Sequence, residues 1–263
     1  MTTPSNVARH PAAAHTLKNV VAVASGKGGV GKTWFSITLT QALAGLGRKM
    51  LLFDGDLGLA NVDVQLGLVP EHDISTVVAG KVGIETAVRS YADGKFDVLA
   101  GRSGSGSLAA LTPQKLKGLR DGLMTIAPTY DAVVLDLAAG IDDNLRLLAG
   151  LSSICLVVTT DEPTALTDAY ALIKVMAAAG RQRTLRVVVN MAASKKDGEA
   201  TYRTLLKACE SFLKISPPLA GVVRRDEKVR EVIRRQTPVL TRYPTCPAAD
   251  DVSAIAGRLQ GDI

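Results

Sequence analysis

The chain has 263 residues, of which 47% are hydrophobic, enough for one substantial core in a single α/β domain. Its three cysteines lie far apart and form no C-x-x-C or C-x-C pair, which excludes the common metal and redox signatures and predicts reduced cytosolic thiols. The formal charge is +6, and no stretch reaches the ~18 uncharged apolar residues that a membrane-spanning helix needs.

The first 18 residues contain two prolines and several alanines but no continuous apolar run. Such a segment is neither a signal peptide nor a membrane span, and we expect a disordered tail. The folded domain is therefore predicted at residues 19–263.

Beyond this tail, short apolar runs alternate with longer amphipathic ones, a rhythm typical of βαβ units. Strands are predicted at 20–24, 49–54, 96–99, 132–136, 154–159, 185–190 and 219–223. Helices are predicted at 32–46, 112–127, 142–150, 162–179, 197–213, 226–236 and 248–259. The Ser/Gly run at 103–107 is expected to be a mobile loop, because the rhythm continues across it. The predicted fold is a single doubly wound, mainly parallel sheet flanked by helices.

The most specific motif, GKGGVGKT, follows the first predicted strand directly. It fits G-x-x-x-x-G-K-[ST], the loop that holds nucleotide phosphates between a strand and a helix. Its glycines let successive N–H groups face one concave spot, Lys32 can reach the β- and γ-phosphates, and Thr33 can ligate Mg²⁺. The motif predicts a nucleoside-triphosphate site with Mg²⁺, formed by Gly26, Lys27, Gly28, Gly29, Val30, Gly31, Lys32, Thr33 and Trp34.

Acidic residues end two of the predicted strands. Asp136 closes an apolar run in the form of a Walker B strand, whose carboxylate holds Mg²⁺, often through water. Asp54 and Asp56 follow another apolar run, and in an open parallel sheet such carboxyl ends surround the ligand crevice. One such strand end is weak evidence, but two beside a phosphate loop favour a functional role. We expect Asp56 to orient an attacking water and Asp54, with Thr33 and Asp136, to support the metal.

Longer segments make the resemblance to a known family specific. The phosphate loop with its second lysine, Lys27, is similar to that of the MinD/ParA ATPases. The runs DLGLANVDVQLGL at 56–68, DLAAGI at 136–141 and DEPTALTDAYALIK at 161–174 resemble the FlhG/FleN branch of that family, which controls flagellar number and placement. The likeness covers about residues 19–240.

The resemblance implies a P-loop NTPase of the SIMIBI class that dimerises with ATP and hydrolyses it slowly. It assigns catalysis to Lys27, Lys32 and Asp56, with Lys27 reaching across the dimer interface to the partner's nucleotide. Without the resemblance, Lys27 reads as a solvated loop lysine. The likeness also implies a bacterial cytoplasmic protein that a protein partner recruits to a pole or to the nucleoid.

Three further residues take roles only from the resemblance. Asn61 and Asp63 would belong to the nucleotide-sensing switch, and Asn190 would contact adenine. From its position alone, Asn190 also fits a turn residue at the end of a strand.

Three features depart from the family pattern. Residues 1–18 contain no Asp, Glu or Gln, whereas the family often carries an Asp-Gln-Ala motif there that stimulates the GTPase FlhF. The sequence at 224–226 is Arg-Arg-Asp where relatives usually have a proline. The apolar stripe of the last predicted helix is flanked by Asp250, Asp251 and Asp262, so we expect it to pack in the core and not to anchor in anionic lipid.

A basic segment lies near the carboxyl end. Its cations are Arg224, Arg225, Lys228, Arg230, Arg234 and Arg235. Val229, Val232 and Ile233 are expected to form its buried face, so the cations should point outwards. The segment is either a solvated helix supported by i,i+4 ion pairs or a ParA-like surface for nonspecific DNA.

Two functions from different classes therefore remain. One is an FlhG/FleN-like, nucleotide-switched flagellar regulator, which the switch-region sequence favours. The other is a ParA-like ATPase that binds nonspecific DNA to segregate or position a cargo. A third class, ATP-coupled metal delivery, lacks the paired cysteines of its members.

Overall fold

The computed structural model describes residues 16–103 and 112–263. Within them the strands are β1 (Leu17–Ser25), β2 (Met50–Gly55), β3 (Arg89–Tyr91), β4 (Phe96–Leu99), β5 (Ala132–Ala139), β6 (Ser152–Thr159), β7 (Leu185–Ala192) and β8 (Leu219–Arg224). They form one sheet in the order β3-β4-β2-β5-β1-β6-β7-β8, and every neighbouring pair is parallel except β3 with β4.

Helices cover both faces of this sheet. They are α1 (Lys32–Gly45), α2 (Val62–Leu66), α3 (Ile74–Val78), α4 (Ile84–Ala87), α5 (Pro113–Ile126), α6 (Asp143–Ala149), α7 (Pro163–Ala178), α8 (Lys195–Ala208), α9 (Glu227–Arg234), α10 (Val239–Arg242) and α11 (Pro247–Leu259). A π-helical turn, Cys209–Leu213, extends α8. The predicted doubly wound, mainly parallel fold is confirmed.

Two apolar cores lie on opposite faces of the sheet. Alternate residues of β1 point to each side, so that Val21 and Val23 pack with α1 and α11, whereas Val20 and Ala22 pack with α5 to α7. Because both faces are covered, the central strands are apolar at nearly every position and do not alternate. This explains why the strand signals in the sequence are short continuous apolar runs.

Several predicted boundaries are corrected. Leu17 and Lys18 already belong to β1, where the Leu17 N–H donates to the Leu151 carbonyl, so ordered structure begins before residue 19. β5 continues three residues beyond Asp136, because its end still pairs with β1 and β2. The predicted loop at 103–107 lies outside the described residues, apart from Ser103.

Five short elements have no counterpart in the prediction: β3, α2, α3, α4 and α10. Each has three to five residues, too few for a periodic pattern, and tertiary packing decides its form. The Tyr91 ring of β3, for example, packs on the Phe96 ring of β4 at a centroid distance of 5.4 Å.

The last helix packs in the core, as predicted. Its stripe, including Val252, Ile255 and Leu259, is buried against α1 and β8. Among the helices of the described residues, none combines the length and the apolar character that crossing a bilayer requires.

Candidate functional site

A cleft of about 810 Å³ opens at the carboxyl ends of the central strands. It is lined by the loops that follow β1, β2 and β5 and by the end of β7, which the strand order brings together on both sides of β1. In open α/β sheets, ligands bind at such a point. The lining includes Gly28 to Trp34 of the predicted phosphate loop, Asp56, Asn61 and Asp142.

The phosphate loop turns tightly into α1. Gly31 precedes the helix in the left-handed region, with φ +82°, and a side chain there would come within 2.5 Å of the Asn190 amide nitrogen. Gly26 lies so close to α7 that a Cβ would overlap the Asp168 carbonyl. The positive end of α1 faces the cleft and carries no acidic residue in its first turn, as an anion site requires.

Lys32 points inward to Asp136. Its Nζ donates to Asp136 Oδ1 at 3.0 Å, and the Ser36 hydroxyl donates to the same oxygen at 2.9 Å. Lys32 and Asp136 are 7% and 1% exposed, and the second carboxylate oxygen, Oδ2, is buried without a hydrogen-bond partner among the described residues. A buried carboxylate with one uncommitted oxygen fits a hard cation such as Mg²⁺, whose preferred ligands are oxygens.

Asp54 lies directly across the β2–β5 register from Asp136. It is fully buried, and burial followed by repulsion from Asp136 raises its pKa to about 7. Its two oxygens accept the N–H groups of Asp56 at 3.3 Å and Val62 at 3.2 Å. Asp54 therefore closes the loop of residues 56–61, hereafter the switch loop.

Within the switch loop, Asp56 lines the cleft and its Oδ1 accepts the Leu59 N–H at 3.0 Å. Asn61 donates its side-chain amide to the Leu59 carbonyl at 2.6 Å. Asp63, at the start of α2, is buried and accepts the Ser103 N–H at 2.9 Å. The predicted water-orienting and switch residues thus lie on one segment beside the phosphate loop.

Lys27 has partners within its own chain, and its reach across a dimer interface stays a prediction. Its Nζ donates to Glu162 Oε2 at 2.6 Å and to the Thr164 hydroxyl at 2.8 Å, at the start of α7. The hydrogen bond and positive charge of Lys27 lower the pKa of Glu162. Both side chains are substantially exposed, at 36% and 63%, so water competes for the contact.

Asn190 supports the phosphate loop. It is 2% exposed, and its amide nitrogen donates to the Val30 carbonyl at 2.8 Å. The predicted adenine contact stays a prediction.

The cations of the basic segment fall into two groups, one paired residue and five exposed ones. Arg224 is held by Asp251 through its Nε at 2.8 Å and Nη2 at 3.0 Å, so it does not point outward with the rest. Val232 is buried, but Ile233 lies at the edge of the cleft and is 36% exposed, contrary to prediction. The exposed cations are Arg225, Lys228, Arg230, Arg234 and Arg235, and the expected i,i+4 pair of Arg235 with Glu231 is present at 3.1 Å.

Sequence reasoning missed Ser36, Glu162 and Thr164. Ser36 lies one helical turn after Lys32, a spacing that could have placed both on Asp136. No sequence signal joins Glu162 to Lys27, because they are 135 residues apart.

The comparisons with known proteins identify the family of this chain. The family description "CobQ/CobB/MinD/ParA nucleotide binding domain" matches residues 21–239, and the chain therefore belongs to this family, as one of its MinD/ParA-type ATPases. The antiactivator FleN of Pseudomonas aeruginosa is 38% identical over 240 residues, which cover 91% of this chain and 85% of that protein. The predicted resemblance to the FlhG/FleN branch is confirmed.

Two solved structures show the same architecture. The cell division ATPase MinD of Pyrococcus furiosus superposes with a TM-score of 0.79 at 26% identity, covering 93% of this chain and 99% of that chain. MinD of Pyrococcus horikoshii, complexed with Mg-ADP, gives a TM-score of 0.78 at 25% identity, with coverages of 92% and 96%.

Proposed function

We propose that this chain is a nucleotide-switched regulator of flagellar number or placement, which dimerises when it binds ATP and hydrolyses the ATP slowly. The observation that carries the proposal is the different placement of the two phosphate-loop lysines. Lys32 lies inside the cleft on Asp136, whereas Lys27 lies at the surface on exposed Glu162. A lysine at the surface can exchange its own glutamate for the nucleotide of a facing subunit, which an inward lysine cannot do.

Apolar side chains around the cleft support a facing subunit. Leu59 of the switch loop is 74% exposed, Ile141 in the loop that follows β5 is 48% exposed, and Ile233 of α9 is 36% exposed. Exposed apolar residues grouped around a binding site are typical of a protein interface. Covering them would also exclude water from the phosphates, which strengthens electrostatic interactions there.

In the proposed reaction, Lys32 leaves Asp136 for the β- and γ-phosphates. Asp136 Oδ1 then keeps only its hydrogen bond from Ser36, and Oδ2 is available to the metal shell. Mg²⁺, when bound, neutralises charge on the phosphate oxygens. Thr33 and Asp136 would hold the ion, with Asp54 in support. Asp56 orients the attacking water, and Lys27 of the facing subunit stabilises the charge on the γ-phosphoryl group. Asn61 and Asp63 sense the nucleotide, and Asn190 lies near the base.

We place this regulator in the bacterial cytoplasm, where a protein partner would recruit it to a pole or to the nucleoid. The similarity to FleN supports the flagellar assignment. Recruitment through α11 is disfavoured, because its apolar stripe is already buried.

The dimer is tested by light scattering with ADP and with a non-hydrolysable ATP analogue, each with Mg²⁺. We expect the monomer mass with ADP and twice that mass with the analogue. The same mass in both samples contradicts the switch.

The cellular role is tested by deleting the gene in its source bacterium and counting flagella, with wild-type and Asp56→Ala chains reintroduced. We expect the deletion to change flagellar number or position and only the wild-type chain to restore it. Normal flagella in the deletion strain would refute the role.

A ParA-like role is the second candidate, favoured by the exposed cations of α9 and its flanks. Electrostatic DNA binding weakens steeply with salt. Gel shifts with random duplexes test it. ATP-dependent binding that is lost between about 50 and 200 mM salt, and on charge reversal of Arg230 and Arg234, would support the ParA-like role. Without such binding it is excluded.

A further inference from the structure

The segment that follows β4, residues 100–103, forms a wall behind the switch loop. Gly101 is in such close contact that an added Cβ would overlap the Cβ of Ala60 and lie 3.4 Å from Asp54 Oδ2. Two residues later, the Ser103 N–H holds Asp63. This wall thus meets the switch loop near its end and meets the first turn of α2.

Position 101 has no room for a side chain, and the reason is steric and not conformational. Its backbone is outside the left-handed region, so an alanine could adopt it. The atom it would meet is a methyl group on the buried Ala60, which has no rotamer by which to move away. A methyl group at position 101 can therefore be accommodated only by a shift of the backbone.

We propose that Gly101 is a positioning residue for hydrolysis, because it sets the place of the switch loop and through it the place of Asp56. Ala60 follows Leu59, whose N–H donates to Asp56 Oδ1 at 3.0 Å. A displaced Ala60 therefore moves the carboxylate that orients the water. This inference rests on the proposed role of Asp56, and it adds a residue that follows another strand and does not line the cleft.

The test is Gly101→Ala with steady-state ATP hydrolysis. A displacement of about 1 Å can cost ~10²-fold in rate, so we expect kcat to fall ~10- to 100-fold. KM for ATP should stay within about threefold, because Gly101 is not among the residues that line the cleft. The matched control is Gly118→Ala on α5, where an added Cβ meets no atom within 4 Å and kcat should be unchanged.

Rescue separates this contact from general damage. In the double variant Ala60→Gly, Gly101→Ala the opposing methyl group is gone, and we expect kcat to return to within about threefold of Ala60→Gly alone. Normal kcat in Gly101→Ala, or a loss that the double variant does not restore, overturns the proposal. If Gly101→Ala fails to fold, the double variant decides alone: recovered folding and turnover support the contact, and failure refutes it.

The failure of the proposed function is distinguishable. If Asp56→Ala hydrolyses ATP normally, the role of Asp56 is wrong. If Asp56→Ala is impaired while Gly101→Ala is not, only the positioning inference is wrong.

Discussion

The same phosphate loop carries two lysine–carboxylate pairs that differ in almost every physical respect. Lys32 and Asp136 are buried and share their contact with Ser36, whereas Lys27 and Glu162 face water. A buried pair is costly to break, because either partner alone leaves an uncompensated charge, while an exposed pair exchanges partners at little cost. Lys32 is therefore fixed within its own subunit, whereas Lys27 is free to contact a facing subunit.

The largest effect is expected from breaking the buried pair. Lys32→Met leaves Asp136 unpaired in the interior, and such a loss typically costs about 3–5 kcal/mol. Denaturant unfolding should show this loss, together with the loss of nucleotide binding. The matched variant Lys27→Met should unfold with wild-type stability. Equal losses of stability for the two lysine variants would show that the two pairs do not differ in this way.

A second effect concerns the buried carboxylate beside this pair. The pKa of Asp54 is about 7 in the folded chain and near 3.8 when unfolded. Between these values the folded state retains a proton that the unfolded state loses, so stability falls as pH rises from about 4 to 7 and then levels. The full difference corresponds to roughly 4 kcal/mol.

Asp54→Asn removes this titration, so its stability relative to wild type should rise with pH up to about 7 and then stay constant. The lost hydrogen bond gives an offset that does not depend on pH. Unfolding of the nucleotide-free, metal-free chains at several pH values measures the trend, and a constant difference across the range would contradict it.

Asp56 is neither fully buried nor free, and its effect should appear in turnover alone. Asp56→Ala is expected to hydrolyse ATP ~10²-fold more slowly, the scale of losing a positioned base. The variant should still form the ATP-bound dimer and accumulate in it. The control is Asp93→Ala, which removes an exposed carboxylate from the short 3₁₀ turn between β3 and β4 and should leave turnover unchanged.

The smallest effect on stability is expected at the exposed pair. Lys27→Ala should leave the melting temperature and much nucleotide binding intact, because water replaces its contact with Glu162. It should nevertheless abolish ATP-dependent dimerisation and hydrolysis, as measured by light scattering and phosphate release. A dimer that persists in this variant would mean that Lys27 acts only within its own chain.

The sequence predicted most of this architecture because the information is local. Each central strand is a continuous apolar run, and the phosphate loop specifies its own turn by glycine and lysine spacing. Asp54 and Asp136 were predicted to share an edge because parallel strands end together, and the register places them side by side. The ATPase family also followed from contiguous motifs.

What could not be predicted depends on distant contacts. Lys27 meets Glu162 across 135 residues, and Gly101 meets Ala60 through the packing of two loops. The sequence places Arg224 in a basic surface, but in the fold its side chain pairs with Asp251 of α11. A charge in a sequence does not reveal whether its counter-charge arrives from another element.

Trp34 is the single tryptophan of the chain, and it lies in the cleft wall, 5% exposed, with its indole N–H unpaired among the described residues. Indole emission responds to local polarity, so the tryptophan fluorescence of this protein reports on Trp34 alone. The protein therefore carries a built-in optical reporter beside its phosphate loop. Stopped-flow fluorescence of the unlabelled chain can time nucleotide arrival separately from phosphate release, and thus show which step sets the lifetime of the switch.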